Sequence, residues 1–320
     1  MTRYLIRRSV FGLITLWVIV TAVFILYYVA PHDPARTLAG RAVTPALLDN
    51  IRHSLGLDKP ILTQYWNFLG RVVRLDFGTS FINRLPVTTI MLRALPVDIS
   101  LAIGAAIIWM ASGVSIGVLA ARRPRSIWDR AATVFVLTGL SMPTFIIGLL
   151  LLYVLFYILT IHGIAFFPPA GTYTGITQNP LEWARDLILP WITLALITAA
   201  VYSRLTRSSL LETLGEDYIR TARAKGLSER RVVYRHALRS ALTPIITQFG
   251  IDVATVLGGA IVTESVFGLP GLGRAVVQSI SNQDLPVIQG VVILASGFVI
   301  VANIAVDAIY ALLDARVRLA

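Results

Sequence analysis

Six apolar runs, each long enough to cross a bilayer, divide this chain of 320 residues; they lie near 9–30, 98–121, 131–160, 188–211, 243–266 and 287–313. A hydrocarbon core about 30 Å thick takes roughly 20 residues of helix at about 1.5 Å per residue. Lipid offers no partner to a bare backbone N–H or C=O, so such runs must close their hydrogen bonds within helices. The sequence therefore predicts an all-α integral membrane protein with six transmembrane helices. Composition agrees: 56% of residues are hydrophobic and 14% are charged, against about 25% charged in soluble domains. The first run follows Arg3, Arg7 and Arg8, as a secretory signal would. A cleavable apolar core spans only about 7–15 residues and ends in small side chains. This one closes on Tyr27-Tyr28-Val29-Ala30-Pro31, an interfacial aromatic belt, and reads as a retained anchor.

Arginine sets the orientation. Arg122, Arg123, Arg125 and Arg130 follow the second run, a dense basic stretch from Arg204 to Arg239 follows the fourth, and Arg316 and Arg318 close the chain. Lys and Arg accumulate on the cytoplasmic side of short loops, so both termini are expected in the cytoplasm of a multi-pass plasma-membrane protein, the cell inner membrane. The net charge of +11 then fits anionic lipid at that face and calls for no nucleic acid. There is no cysteine, which excludes disulfides, thiol catalysis and iron–sulfur ligation. Between the first and second runs, Pro45–Leu57 and Pro60–Arg74 show helical spacing of Leu47, Ile51 and Leu55, then Tyr65, Phe68, Leu69 and Val72. These are expected to form a small external helical cap, with a helix pair lying on the membrane surface as the competing reading. The organisation is thus an N-terminal tail and first helix (1–30), a cap segment (31–97) and a five-helix core (98–320) with a cytoplasmic loop at 212–243.

The loop carries the most specific signal, Glu216–Arg231. Gly226 can close one short helix in a left-handed cap and Ser228 can start the next. The surrounding Asp217, Tyr218, Arg220, Thr221, Ala222, Ala224 and Lys225 read as a segment built to be gripped by a cytoplasmic partner. A basic loop that merely obeys charge asymmetry is the plain alternative. A nucleic-acid reading lacks the aromatic stacking platform it needs. The lysines Lys59 and Lys225 follow Asp58 and Ala224, so no phosphate-binding loop of the Gly-Lys type exists here. No cofactor is expected in this chain. Gly113-Val114-Ser115-Ile116-Gly117 matches a nucleophile elbow on paper, but inside an apolar run small residues at this spacing serve helix packing. The histidines His32, His53, His162 and His236 are scattered, and no metal site is expected.

Ionisable residues in the runs are the remaining candidates. Asp252 lies about 12 Å along the fifth run at about 1.5 Å per residue; it reads as a pathway or gate residue, or as half of a structural pair with an arginine. Glu264 at the outer end reads as a gate residue or as a solvated charge, and Asp307 as structural. Pro143, with Ser141 before it, interrupts the third run and frees a backbone carbonyl. Gly268-Leu269-Pro270-Gly271-Leu272-Gly273 reads as a tight external turn near an outer gate.

Together these motifs resemble the permease subunits of the ABC-type dipeptide/oligopeptide/nickel importers. The resemblance runs nearly the whole length: Tyr4-Leu5-Ile6-Arg7-Arg8, Leu55-Gly56-Leu57-Asp58-Lys59-Pro60, Leu75-Asp76-Phe77-Gly78, Ser141-Met142-Pro143-Thr144-Phe145 with Gly148, Arg220–Gly226 with His236-Ala237-Leu238-Arg239, Phe267–Gly273, and Asp307–Asp314. It departs from the family's pattern at Arg220, where the wider superfamily often has Glu, and at Asp314-Ala315-Arg316, where a proline is usual. The resemblance implies half of a translocation path for short peptides. A homologous permease would form the other half of a heterodimer, and two ATPase subunits or one fused ATPase would use ATP and magnesium. An external binding protein would deliver substrate, and Asp217–Gly226 would be the coupling segment. A stand-alone secondary transporter or channel for a small polar solute would instead call for broken-helix repeats and charged relays in several spans. An intramembrane enzyme would call for an assembled nucleophile and base.

Overall fold

The computed structural model describes residues 2–29, 35, 44–257 and 260–313. The expected features at 31–34 and 36–43, His32 among them, and the ending Asp314-Ala315-Arg316 with Arg318 lie outside the described residues, as does the side chain of Asp307. Among the described residues there is no strand, only an isolated bridge between Thr79 and Pro86. The helices are α1 (Thr2–Phe24, widening into a π-type turn at Ile25–Val29), α2 (Pro45–Leu55), α3 (Ile61–Val73), α4 (Val87–Arg122) and α5 (Ile127–Ser141). They continue as α6 (Thr144–Ile161), α7 (Pro180–Leu214), α8 (Asp217–Ala224), α9 (Glu229–Leu257), α10 (Ile261–Phe267), α11 (Leu272–Ser281) and α12 (Leu285–Leu313). Six helical stretches are long and apolar enough to cross a membrane, in α1, α4, α6, α7, α9 and α12.

Each expected run has its helix, but several boundaries move, and proline is the reason. The expected runs begin near 98, 188 and 243, close to Pro96, Pro190 and Pro244, whereas α4, α7 and α9 carry these prolines in their interiors and begin well upstream. Proline removes one ladder hydrogen bond, and neighbouring groups in a bundle can compensate locally. The next turn is reinforced without replacing that lost bond: the Ser100 hydroxyl donates to the Pro96 carbonyl at 2.6 Å. The Ser100 carbonyl in turn receives the Trp191 indole N–H at 2.8 Å. The third run corrects differently. Pro143 does not kink one continuous helix: Met142 is extended, α5 stops at Ser141, and Pro143 stands immediately before the first residue of α6. The fifth run is likewise divided, with α9 ending at Leu257 and α10 starting at Ile261.

Helices α4 and α7 lie along each other through most of their length and form the centre of the molecule, with α5, α6 and α9 packed on α7 and α12 joining α9 to α1. Their contact is close because α4 withholds side chains. The Trp191 ring fills the space where a Cβ on Gly104 would stand, 2.0 Å from its nearest atom. A Cβ on Gly113 would lie 2.8 Å from the Ala199 carbonyl oxygen, and one on Gly117 2.6 Å from that of Ser203. Gly113 and Gly117 therefore pack helices, as the packing reading of that motif expects. Ser115 is exposed on another side of α4. Around the contact, Leu101, Ala105, Trp109, Leu187, Ala195 and Tyr202 form a fully buried core.

Gly113→Leu is expected to lower the thermal midpoint of the detergent-solubilised protein, because the obstruction is backbone and overpacking costs about 1–3 kcal/mol. Gly70→Ala in α3, where a Cβ meets nothing within 4 Å, is expected to leave the midpoint unchanged or raise it slightly. A melting series on the two variants checks both.

Candidate functional site

At one end of the bundle the segment after α7 folds back as α8. Gly215 and Glu216 turn the chain; Gly226, at φ +76°, turns it again into α9. Helix α8 is two-faced. Ile219 and Ala222 are buried against Val118 and Ala121 of α4, Leu210 of α7, and Val232, Val233, Ala237 and Ala241 of α9. Asp217, Tyr218, Arg220, Thr221, Ala224 and Lys225 are exposed, with Gly226 beside them. Ala222 thus belongs to the inner face, and its small size serves this chain's own packing. Polar contacts fix the segment further. Arg223 donates to both carboxylate oxygens of Glu229 at 2.8 and 3.1 Å, and the Tyr218 hydroxyl donates to Ser240 at 3.0 Å. The guanidinium of Arg122 stands 5.6 Å from the Tyr234 ring centre.

The neighbouring turn, between α4 and α5, is tied to α7 by Asp129. Its two oxygens receive Arg207 Nε at 2.7 Å and Nη2 at 3.0 Å. The backbone N–H of Arg125, a residue at φ +65°, adds a third bond at 2.8 Å. These donors hold the Asp129 carboxyl below the usual carboxylate range.

Midway along the bundle, Asp252 is half-buried on α9. It accepts from the Tyr202 hydroxyl of α7 at 2.8 Å and from Gln248 Nε2 at 3.0 Å. Its partners within this chain are thus a phenol and an amide.

At the opposite end, Glu264 is fully buried, which overturns the reading of it as a solvated charge. It meets a second carboxyl that the sequence reading did not single out, Asp98 of α4, also fully buried. The pair grips the start of α11: Asp98 Oδ2 accepts from the Leu272 N–H at 2.9 Å, and Glu264 Oε2 from the Arg274 N–H at 2.8 Å. Helix α11 has Gly271 at its N-cap and no side-chain cap of its own, so carboxyl oxygens from elsewhere accept from its free N–H groups. The glycines follow from this. A Cβ on Gly271 would stand 2.4 Å from Glu264 Oε2, and Gly268 takes the left-handed φ of +65° that ends α10. Arg274 donates to the Gly268 carbonyl, and the Gly171 N–H to that of Phe267 at 2.7 Å. Pro270 and Gly271 border a groove of about 380 Å³ with Arg93 and Arg274. Ser141 and Pro143 are not part of this cluster: both are exposed at the α5–α6 break, and the Ser141 hydroxyl returns to the Leu137 carbonyl at 2.7 Å.

Asp98 and the Asp129–Arg207 pair were missed because their partners are distant in sequence. The one available signal for Asp98 was a carboxylate opening an apolar run, which is costly unless paired. Among the described residues no cluster of three or more metal-ligating side chains forms.

The family described as the binding-protein-dependent transport system inner membrane component matches residues 113–319, and its N-terminal counterpart matches residues 1–102. The chain is 40% identical over 315 residues to the probable peptide ABC transporter permease protein y4tP of Sinorhizobium fredii, covering 98% of this chain and 99% of that one. It is 37% identical over 341 residues to the dipeptide transport system permease protein DppB of Escherichia coli K12, covering 99% of each. Among solved structures, an inward-facing conformation of the MetNI methionine ABC transporter matches with a TM-score of 0.54 at 20% identity, over 71% of this chain and 97% of that one. That likeness shows the fold.

Asp129→Asn is expected to lower thermal stability at pH 7, because Arg207 loses its ionic partner. A carboxyl with a depressed folded pKa stabilises above its unfolded value of about 3.9 and loses that contribution as pH falls through the folded value. The gap between wild type and variant should therefore hold constant from neutral to mildly acidic pH and close below about pH 4, as melting curves across pH will show.

Proposed function

This chain belongs to the family of binding-protein-dependent transport system inner membrane components, and from that premise we propose how its parts work. It is a permease subunit of an ABC importer and not itself an enzyme; the ATPase is a separate subunit. Its cargo is short peptides, the class named for its relatives, handed over by an external binding protein. A homologous permease completes the path as a heterodimer. Two ATPase subunits, or one fused ATPase, bind ATP and magnesium outside this chain. The basic α8 end faces the cytoplasm with both termini; α2 and α3 lie on the external side, and the Gly268–Gly271 turn stands near the outer gate.

The two-faced α8 carries this reading. Its inner face, Ile219 and Ala222, is locked to α4, α7 and α9, so a force on its outer face moves those helices together and not α8 alone. Asp217, Tyr218, Arg220, Thr221, Ala224, Lys225 and Gly226 are the surface available to an ATPase groove. Nucleotide-driven closure of the ATPases would push there. The push reaches mid-bundle through α9 and its Asp252–Tyr202 bond to α7. It reaches the far end through α4, whose Asp98 holds the start of α11. Rigid-body motion of this kind exposes a path alternately to each side. The main chain at Met142–Pro143, between two helices, is a second place where the bundle can bend.

Ala224→Trp tests the docking face without disturbing this chain's packing, since Ala224 is exposed. In a native pull-down the wild type should bring down an ATPase and a second permease. The variant should keep the permease and lose most of the ATPase, together with substrate-stimulated ATP hydrolysis. Full ATPase recovery with both Ala224→Trp and Lys225→Glu, two exposed positions of this segment, would overturn the assignment of α8 as the coupling element.

A further inference from the structure

We propose that α3 is an interfacial helix that inserts one apolar edge into the lipid bordering α1. At about 100° per residue, its side chains sort into three stripes. Tyr65, Phe68 and Val72 face the protein core. Gln64, Asn67 and Arg71 border a polar groove shared with His53 and Lys59. The third stripe, Leu62, Trp66 and Val73, is apolar and unpartnered, with 70%, 65% and 77% of each residue exposed. Leu75, just past the helix end at φ +56°, adds a fourth exposed apolar side chain at 63%. A water-facing helix needs only one apolar stripe, toward its core; this one has two.

The occupant of the second stripe follows from where α3 lies. The Tyr65 hydroxyl is 2.8 Å from that of Thr21. The Phe24 ring lies 5.2 Å from Tyr65 and 5.6 Å from Phe68, Tyr28 lies 6.0 Å from Phe68, and Arg71 donates to the Tyr28 hydroxyl at 3.0 Å. Contacts advance together along both helices, so α3 lies obliquely along the last two turns of α1. Those turns belong to the membrane-crossing stretch Ile6–Tyr28. A stripe exposed beside them is at the depth of acyl chains and headgroups, where Trp is favoured. Arg74, exposed at the end of the helix, can reach the phosphate level. The proposal stands apart from the transported substrate and holds whatever the cargo is.

The chain has no cysteine, so single cysteines give clean labelling. Nitroxide would be attached to the full chain at Trp66→Cys, Leu62→Cys and, as the polar-face reference, Asn67→Cys. Each would be measured in phosphatidylethanolamine/phosphatidylglycerol nanodiscs, alone and after co-reconstitution with its native partners. The ratio of collisions with oxygen, which concentrates in lipid, to collisions with a water-soluble nickel chelate is expected to be several-fold higher at 62 and 66 than at 67, in both preparations. Equal ratios at 66 and 67 would place the stripe in water and overturn the proposal. Exclusion of both reagents from 62 and 66 after assembly would assign the stripe to another protein and overturn it equally.

Discussion

Close approach of α4 to α7 rests on side chains that are missing. Gly104 admits the Trp191 ring, and Gly113 and Gly117 let the backbone carbonyls of Ala199 and Ser203 come near. In lipid, helices gain nothing by leaving apolar solvent, because the solvent is itself apolar; association depends on contact and on interhelical hydrogen bonds. A glycine-lined seam maximises the first. The remaining spans are arranged around that seam, α5, α6 and α9 against α7, and α12 between α9 and α1. Tyr202 and Trp191, the large side chains received by the seam, also carry the phenol and indole that bond to Asp252 and to the Ser100 carbonyl.

The buried and half-buried carboxyls tie separate elements together. Asp129 joins the α4–α5 turn to α7, Asp252 joins α9 to α7, Asp98 and Glu264 join α4 and α10 to the start of α11, and Asp284 joins the segment before α4 to the turn before α12 through Ser80 and the Phe81 N–H. Each carboxylate accepts from groups distant in sequence. Burial makes an unpaired carboxylate expensive, so these ties are specific: a partner out of place is not replaced by water. They connect the face that α8 presents to the turn at the opposite end through elements that are each fixed to the next. The coupling proposed at α8 needs such continuity, since in that reading the force acts at one end and the opening occurs at the other.

The segment around Gly226 shows how far local sequence reaches. Gly226 and Ser228 announced a short helix, a reversal and the start of a second helix, and α8, the left-handed Gly226 and the start of α9 stand there. Which side of α8 faces outward was not legible. Ala222 and Ala224 are the same residue two positions apart, yet about 200° of helix rotation at roughly 100° per residue puts one in the core and the other on the surface. The break at Pro143 and the continuity at Pro96, Pro190 and Pro244 differ for a similar reason. Proline sets a local penalty, and neighbouring helices decide whether the helix survives it.

Hydropathy, arginine placement and motif order by themselves determined the class of this protein: six helices, no soluble core, a basic reversal after the fourth span, and the family those motifs spell. These are properties of short windows, governed by the cost of exposing backbone to lipid. Tertiary structure alone decided that Glu264 is buried beside Asp98, that Asp252 answers to Tyr202, and that α3 lies along α1 with an apolar edge free. Each of those facts joins residues far apart in the chain, and the packing and hydrogen bonds that fix them exist only once the helices have met.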